Sequence, residues 1–291
     1  MNHGMITSAS GWRKVFAVSG DEEDTTTEIS ADDTVLAALA ADTFAAYITA
    51  KKTNVPVIIV GTDARPTGAA LADAMVRALL ANGIAVQYAG IIAAPEIMAY
   101  AREADGFVYI SASHNPVGHN GIKFGLNDGG VLDRDENAKL VAAFEERCAD
   151  AKAVQNGIAI MGRCPESALE WVYAEQHAVK QQALATYRSF AKRTIAATRD
   201  IAAQNALFAQ IRARVKQNPL GVVCDMNGSA RSVSIDKTFI PQCGMEFLPF
   251  NDTPGLIMHE IIPEPENMTR LTDVINDLHA DGNNNILIGY M

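Results

Sequence analysis

The stretch FVYISASHNPVGHNGIKF, residues 107–124, decides the fold because a short apolar run leads into a polar loop and then returns as a second apolar run. Phe107 to Ile110 combines aromatic and β-branched residues, which is typical of a buried strand. The Ser, His, Asn, Pro and Gly residues that follow end this strand. The sequence therefore predicts a polar loop at a strand end, where α/β folds hold their chemistry.

The loop carries hydroxyls, an imidazole, amides and an ammonium, and no carboxylate occurs before Asp128. A loop of this composition suits an anion, and phosphate is the commonest one. Its polar side chains are Ser111, Ser113, His114, Asn115, Asn120 and Lys123.

Length and charge narrow the class of protein. The chain has 291 residues, room for about two domains, and a formal net charge of -10, which disfavours nucleic acid and anionic membranes as partners. We find no signal-peptide pattern and no apolar run long enough to span a bilayer. The four cysteines are widely spaced, as expected of reduced thiols. We therefore expect a cytoplasmic protein with no membrane partner.

Strand and helix patterns alternate along the first half of the chain. Val57 to Val60 and Ile84 to Tyr88 read as strands, and 69–81 and the segment from Pro95 as helices. This order predicts an α/β sheet. Residues 122–132 predict a hairpin, so we expect a mixed sheet flanked by helices.

We predict two domains. Residues 1–217 form the first α/β domain, with a helical extension at about 165–215 that consists of two helices or one broken helix. Residues 218–291 repeat the order of strand, glycine turn and helix, which predicts the start of a second, similar α/β domain. We expect this domain to be incomplete, because its pattern stops at a strand.

Three segments resemble one family. Ser111 to Pro116 and Asn120 to Lys123 match the serine loop of the α-D-phosphohexomutases (phosphoglucomutase and phosphomannomutase), whose signature is Thr/Ser-Ala-Ser-His-Asn-Pro followed by Asn-Gly-Ile-Lys. Gly61 to Gly68 resembles the family's Gly-x-Asp-x-Arg-Pro-x-Gly turn. Ser10 to Arg13 resembles the second half of its Gly-Thr-Ser-Gly-x-Arg segment, although Ser8-Ala9 departs from the first half.

The resemblance implies a mutase acting on a hexose phosphate through a hexose bisphosphate intermediate. Ser113 would carry the phosphoryl group, Lys123 would act as general acid and base, and Arg13 would orient and neutralise the phosphate. His114 is a further catalytic candidate or a loop-ordering residue. The expected phosphate-binding residues are Arg65, Asn115 and Asn120.

The resemblance also implies Mg²⁺, held by a phosphate oxygen of phospho-Ser113 and by the aspartates of an Asp-x-Asp-Gly-Asp-Arg loop. No such triplet occurs in the sequence. We therefore expect the aspartate ligands beyond residue 291, and the 291-residue chain to be inactive by itself.

Three alternatives compete with the mutase. A serine hydrolase would need a Gly-x-Ser-x-Gly elbow around Ser113, and a dinucleotide-binding domain would need Gly-x-Gly-x-x-Gly after the first strand; neither pattern is present. The third alternative, a non-catalytic sugar-phosphate-binding or scaffold module, stays open because the magnesium loop is absent from the sequence. The choice among glucose, mannose and aminosugar phosphates and the oligomeric state also stay open.

Overall fold

The computed structural model describes residue 1 and residues 3–261 and 265–291, and their side chains except those of 265–268. The chain divides into two compact units, Met1–Ala183 and Leu184–Met291. This division falls inside a long helix, and the domain boundary after residue 217 stays a prediction.

The first unit is built on a mixed six-stranded sheet with the order β1-β2-β6-β5-β3-β4. Strand β3 is parallel to β4 and β5, whereas β6 is antiparallel to both β5 and β2. The predicted mixed α/β sheet is thus confirmed. The strands are β1 Ile6–Ser8, β2 Gly11–Val15, β3 Val57–Thr62, β4 Ala85–Ile91, β5 Gly106–Ile110 and β6 His119–Leu126.

Both faces of this sheet are covered, which explains why its central strands are apolar without interruption. Along β5, Val108 and Ile110 pack into one hydrophobic cluster, while Phe107 and Tyr109 pack into a second cluster on the opposite face. Successive side chains of a strand point to opposite faces, so a strand buried on both sides needs apolar residues at every position.

Helices supply the two covering layers. The larger cluster receives side chains from α1, α2, α4, α5 and α6, and the smaller one from α3 and the start of α7. The helices are α1 Ala31–Thr49, α2 Gly68–Ala81, α3 Ala94–Tyr100, α4 Arg134–Ala149, α5 Ala151–Gly162, α6 Glu166–Ala174 and α7 Gln176–Ala196.

The second unit contains a parallel three-stranded sheet with the order β8-β7-β9. Val223, Leu271 and Ile286 form its core, whereas Leu287 on β9 is 63% exposed. The predicted second α/β unit is therefore present. Its elements are α8 Ile201–Gln217, β7 Gly221–Asp225, α9 Asp236–Gln242, β8 Glu246–Phe250, α10 Pro265–Ala280 and β9 Ile286–Tyr290.

The extension at 165–215 differs from the prediction of one or two helices, since it comprises the three helices α6, α7 and α8. Helix α7 ends where Ala197 adopts a φ of 50°, a left-handed conformation that stops helical hydrogen bonding. Asp200 then caps α8 by accepting a hydrogen bond from the N–H of Ala202. Among the described residues, no helix is both long and apolar enough to cross a membrane.

The N-terminus of α1 offers a test of the first unit's stability. The Oγ of Ser30 accepts a hydrogen bond from the N–H of Asp33 at 3.0 Å and donates one to its carboxylate at 2.9 Å. We expect Ser30→Ala to lower the free energy of unfolding by about 1 kcal/mol, because this cap is lost. Urea denaturation followed by tryptophan fluorescence measures it, since Trp12 and Trp171 both lie in the first unit.

Thr53→Ala is the matched control, because Thr53 is an exposed hydroxyl residue of the same unit that caps no helix. It should change the free energy of unfolding by less than about 0.5 kcal/mol. Equal losses in the two variants would contradict the capping role of Ser30.

Candidate active site

The serine loop, residues 111–118, connects the C-terminal end of β5 to the start of β6. The N–H of Ser111 donates to the carbonyl of Gly121 at 2.8 Å, which continues the β5–β6 ladder into the loop. At the far end, the carbonyl of Gly118 accepts from the N–H groups of Phe16 and Ala17. The loop is therefore fixed at both ends by main-chain hydrogen bonds to the sheet and to the residues after β2.

Ser113 lies exposed at the tip of this loop with a φ of 58°. A side-chain-bearing residue in this left-handed region costs on the order of 1–2 kcal/mol, so the surrounding contacts must hold it there. The N–H of Ser113 donates to the Oγ of Ser111 at 3.3 Å. By contrast, Ser111 is only 5% exposed, so Ser113 is the accessible hydroxyl of the two.

Lys123 reaches Ser113 from the neighbouring strand. On β6 it pairs with Tyr109 of β5, and its Nζ donates a hydrogen bond to the Oγ of Ser113 at 2.9 Å. Burial and the nearby guanidinium of Arg13 lower the pKa of Lys123 below its usual value. The structure thus brings together an accessible hydroxyl and an amine that releases its proton more readily than an exposed lysine.

Gly11 makes room for the lysine stem. A Cβ at this position would lie 3.0 Å from the Cγ of Lys123, and the φ of 130° at Gly11 is one that side-chain-bearing residues rarely adopt. The backbone conformation at the start of β2 and the nearby side chain of Lys123 therefore both favour glycine at this position.

Arg13 lies on β2, opposite Gly121 of β6. Its Nη2 is 3.4 Å from the Oγ of Ser10, while no atom of the described residues accepts a hydrogen bond from its buried Nε. A buried donor without an acceptor is costly, and an anion bound beside it would supply that acceptor. Arg13 and Lys123 together form a cationic pair next to Ser113.

Arg65 binds the backbone around the serine loop, and its predicted role in phosphate binding stays a prediction. Arg65 is 6% exposed, and its guanidinium donates to the carbonyls of three loop residues and of His119, the first residue of β6. The Nη2–O distance to Ser113 is 3.0 Å and the Nη1–O distance to His119 is 3.1 Å, and the other two acceptors are Pro116 and Asn115. The donors of Arg65 face the loop backbone, so it fixes the shape of the loop.

Asp63 completes this arrangement from the end of β3. Its carboxylate lies 3.4 Å from the Nε of Arg65 and accepts a hydrogen bond from the N–H of the same residue at 3.0 Å. Burial raises the pKa of Asp63, although the charge of Arg65 opposes that effect. Asp63 is not among the site residues that the sequence predicts. Its place two residues before Arg65, at a strand end, is the feature from which its part in the site could have been predicted.

The two asparagines and His114 occupy unlike positions. Asn120 is fully buried, and its Nδ2 donates to the Oγ1 of Thr67 at 3.1 Å, which joins β6 to the turn before α2. Asn115 is partly buried and contributes its carbonyl to Arg65. His114 is exposed beside Ser113. The structure thus places His114 at the accessible surface of the loop and Asn120 in its support.

Metal-binding groups are missing from this arrangement. Among the described residues, no three His, Cys, Asp or Glu side chains are grouped in a way that could hold a metal ion. The residues that the structure describes therefore do not fit a magnesium site.

Comparison with known proteins identifies the family that this part of the sequence resembles. The model of the family described as phosphoglucomutase/phosphomannomutase, alpha/beta/alpha domain I, matches residues 8–150. Residues 8–150 thus match domain I of the phosphohexomutase superfamily. The resemblance inferred from the serine loop is confirmed, and the matched segment contains Arg13, Arg65, Ser113 and Lys123 together.

Relatives of this phosphohexomutase domain I are found among curated proteins. A phosphoglucosamine mutase of Bacillus cereus (strain B4264) is 39% identical over 105 residues, which cover 35% of this chain and 23% of the relative. The phosphoglucosamine mutase of Bacillus cytotoxicus is 40% identical over the same length. The chain therefore matches about a quarter of the length of these relatives.

Solved structures show the same fold over more of the chain. A phosphoglucomutase/phosphomannomutase family protein from Burkholderia thailandensis superposes with a TM-score of 0.55 at 18% identity, covering 94% of this chain and 50% of that protein. The phosphoglucomutase parafusin from Paramecium, in its open form, gives 0.55 at 15% identity, covering 92% and 48%. The phosphohexomutase fold thus extends beyond domain I, over about half the length of these proteins.

The loop-fixing role of Arg65 can be tested by a change that keeps its charge. We expect Arg65→Lys to lower the free energy of unfolding by about 3 kcal/mol, because an ammonium cannot replace a planar fork that serves several buried carbonyls. Hydrogen exchange of the amides of Asn115 and His119, which bond within the loop, should also accelerate.

Arg77→Lys is the matched control, because Arg77 pairs with Asp73 on the surface of α2 and touches no loop carbonyl. It should cost less than about 0.5 kcal/mol and leave loop exchange unchanged. Unchanged loop exchange in Arg65→Lys would overturn the role assigned to Arg65.

Proposed function

We propose that this protein interconverts the 1- and 6-phosphates of a hexose, passing the phosphoryl group through Ser113 and a hexose bisphosphate. One observation carries the proposal: the Nζ of Lys123 lies 2.9 Å from the Oγ of an exposed Ser113 that the loop holds in a left-handed conformation. The curated relatives of domain I are named phosphoglucosamine mutases, which supports a hexose phosphate as the substrate class.

The charges around Ser113 support a phosphorylated state. A phosphoserine carries nearly two negative charges and three strong acceptor oxygens near neutral pH. Lys123 already contacts the oxygen that would bear the phosphate, and the buried Nε of Arg13 is a donor that no described residue satisfies. We infer that phosphate on Ser113 fills the acceptor position between these two cations.

The proton balance of the transfer fits Lys123. When phospho-Ser113 gives its phosphoryl group to a sugar hydroxyl, the bond from Ser113 Oγ to phosphorus breaks and a bond from the sugar oxygen to phosphorus forms. The sugar loses a proton and Ser113 gains one. Lys123 can donate its proton to Ser113 Oγ and take up the sugar's, and its lowered pKa brings these two steps closer in free energy. Phosphoryl return to Ser113 reverses both transfers.

The remaining predicted residues take supporting parts in this proposal. Arg65 acts on the phosphate through the shape of the loop, and Asn120 holds β6 against the turn before α2. His114 and Asn115, the two residues that follow Ser113, are proposed to contact the phosphate or sugar. The proton and phosphoryl transfers proposed above involve only side chains of this chain and the sugar, since the described residues do not form a magnesium site.

Two substitutions, made in the protein that the natural gene encodes, separate the carrier from the proton-transfer group. Ser113→Ala should abolish nearly all mutase turnover because the carrier oxygen is gone, whereas Lys123→Ala should lower it by ~10²–10⁴. Coupled assays with glucose, mannose and glucosamine phosphates and a bisphosphate activator measure both. Ser111→Ala is the control and should retain turnover within about tenfold. Full turnover by Ser113→Ala would leave a sugar-phosphate-binding module as the better assignment of this loop.

The pH profile tests Lys123 directly. If its ammonium must protonate Ser113 Oγ, turnover falls as pH rises through the pKa of Lys123, and that alkaline limb should begin below the ordinary lysine value of 10.5. Lys123→Arg keeps the charge but cannot exchange its proton, so its lower turnover should lack the limb. An unchanged alkaline limb in Lys123→Arg would assign that titration to another group.

We predict that the 291-residue chain does not by itself turn over hexose phosphates. The coupled assay above, run with magnesium and the bisphosphate activator, is expected to show no turnover with this chain. Enzyme-level turnover by the 291-residue chain would contradict it.

A further inference from the structure

A second site, outside the serine loop, lies in the unit Leu184–Met291. Helices α7, α8 and α9 enclose a cavity of about 310 Å³, at the small end of the range for ligand pockets. The residues that line it are Lys192, Phe208, Arg212, Phe239, Gln242 and Cys243.

The floor of the cavity is aromatic. Phe208 is 4% exposed, and its ring meets that of Phe239 at a centroid distance of 5.8 Å and an interplanar angle of 78°. In an edge-to-face pair the edge of one ring contacts the face of the other, and Phe239, which is only partly buried, is the ring of this pair that a planar group can reach. Cys243 closes the floor, and burial raises the pKa of its thiol, so the group is neutral.

The rim of the cavity is cationic. The Nζ of Lys192 lies 5.7 Å from the ring centroid of Phe208, and the guanidinium of exposed Arg212 makes one long contact, 3.5 Å, with the carbonyl of Gln242. Among the side chains that the structure describes, neither cation forms an ion pair, although the chain has a net charge of -10. Two cations without carboxylate partners beside an aromatic floor match an anion that carries an apolar ring.

We propose that this cavity binds a small aromatic anion, an aryl phosphate or carboxylate with one ring. The ring would pack on Phe239 beside the buried edge of Phe208, and the anionic group would pair with Lys192 and Arg212 at the opening. The amide of Gln242 supplies a neutral hydrogen-bond partner at the same rim. This site is separate from the mutase chemistry proposed for Ser113, since all of its residues belong to the second unit.

Phenyl phosphate is the probe, titrated into the 291-residue chain by isothermal calorimetry. Saturating glucose 6-phosphate is included so that the Ser113 loop cannot account for the binding. We expect saturable binding with one site per chain. Arg212→Gln and Lys192→Gln should each weaken it by about tenfold, as expected when a hydrogen bond to a charged group is lost.

Arg214→Gln is the matched control, because Arg214 is exposed on the same helix and does not line the cavity. It should change the affinity less than twofold. Phenol and inorganic phosphate should each bind at least tenfold more weakly than phenyl phosphate, because each supplies only half of the ligand.

Three outcomes would overturn the proposal. These are the absence of saturable binding at millimolar phenyl phosphate, equal weakening by Arg214→Gln and Arg212→Gln, and inorganic phosphate binding as tightly as phenyl phosphate. Circular dichroism spectra matching the wild type establish that the surface variants are folded. Since glucose 6-phosphate is present throughout, failure here would leave the role proposed for Ser113 unaffected.

Discussion

The site depends on one set of hydrogen bonds, those from the Arg65 guanidinium to carbonyls of the serine loop and to the carbonyl of His119 at the start of β6. A loop of eight residues has no helix or strand of its own to satisfy its carbonyls, and Ser113 adopts an unfavourable left-handed φ. One buried, planar fork meets both needs. Because Asp63 balances the charge of Arg65 from the end of β3, the loop, the turn after β3 and the sheet form one connected structure.

The mixed sheet places the reacting groups on this support. Antiparallel pairing of β5 with β6 sets Lys123 opposite Tyr109, one position from the strand end that leads to the serine loop, and pairing of β2 with β6 adds Arg13. Gly11 leaves space for the lysine stem between the strands. Burial and the neighbouring charge of Arg13 together lower the pKa of Lys123, and two cations held close together attract an anion.

Much of this could be predicted from local sequence. The apolar runs of β3, β4 and β5 and the polar loop after Ile110 predict the strands, since each pattern acts over a few residues. The hairpin expected at 122–132 is present only as a single bridge between Gly125 and Val131, and the antiparallel part of the sheet comes from pairing of β6 with β5 and β2. The role of Arg65 could not be predicted, because a motif shows that an arginine is near a loop and not which carbonyls it meets. Tertiary contacts also determine the left-handed conformation of Ser113, the partners of Asp63 and the helix break at Ala197. The periodicity of apolar residues carries no information about such contacts.

The most direct test of the account is to map phosphate on the loop by mass spectrometry after incubating the protein with glucose 1,6-bisphosphate. The geometry predicts phosphate on Ser113, whose hydroxyl is exposed beside Lys123, and none on Ser111, which is 5% exposed. Phosphate found on Ser111 with Ser113 unmodified would contradict the central claim that the loop's fixed shape selects Ser113 as the phosphoryl carrier.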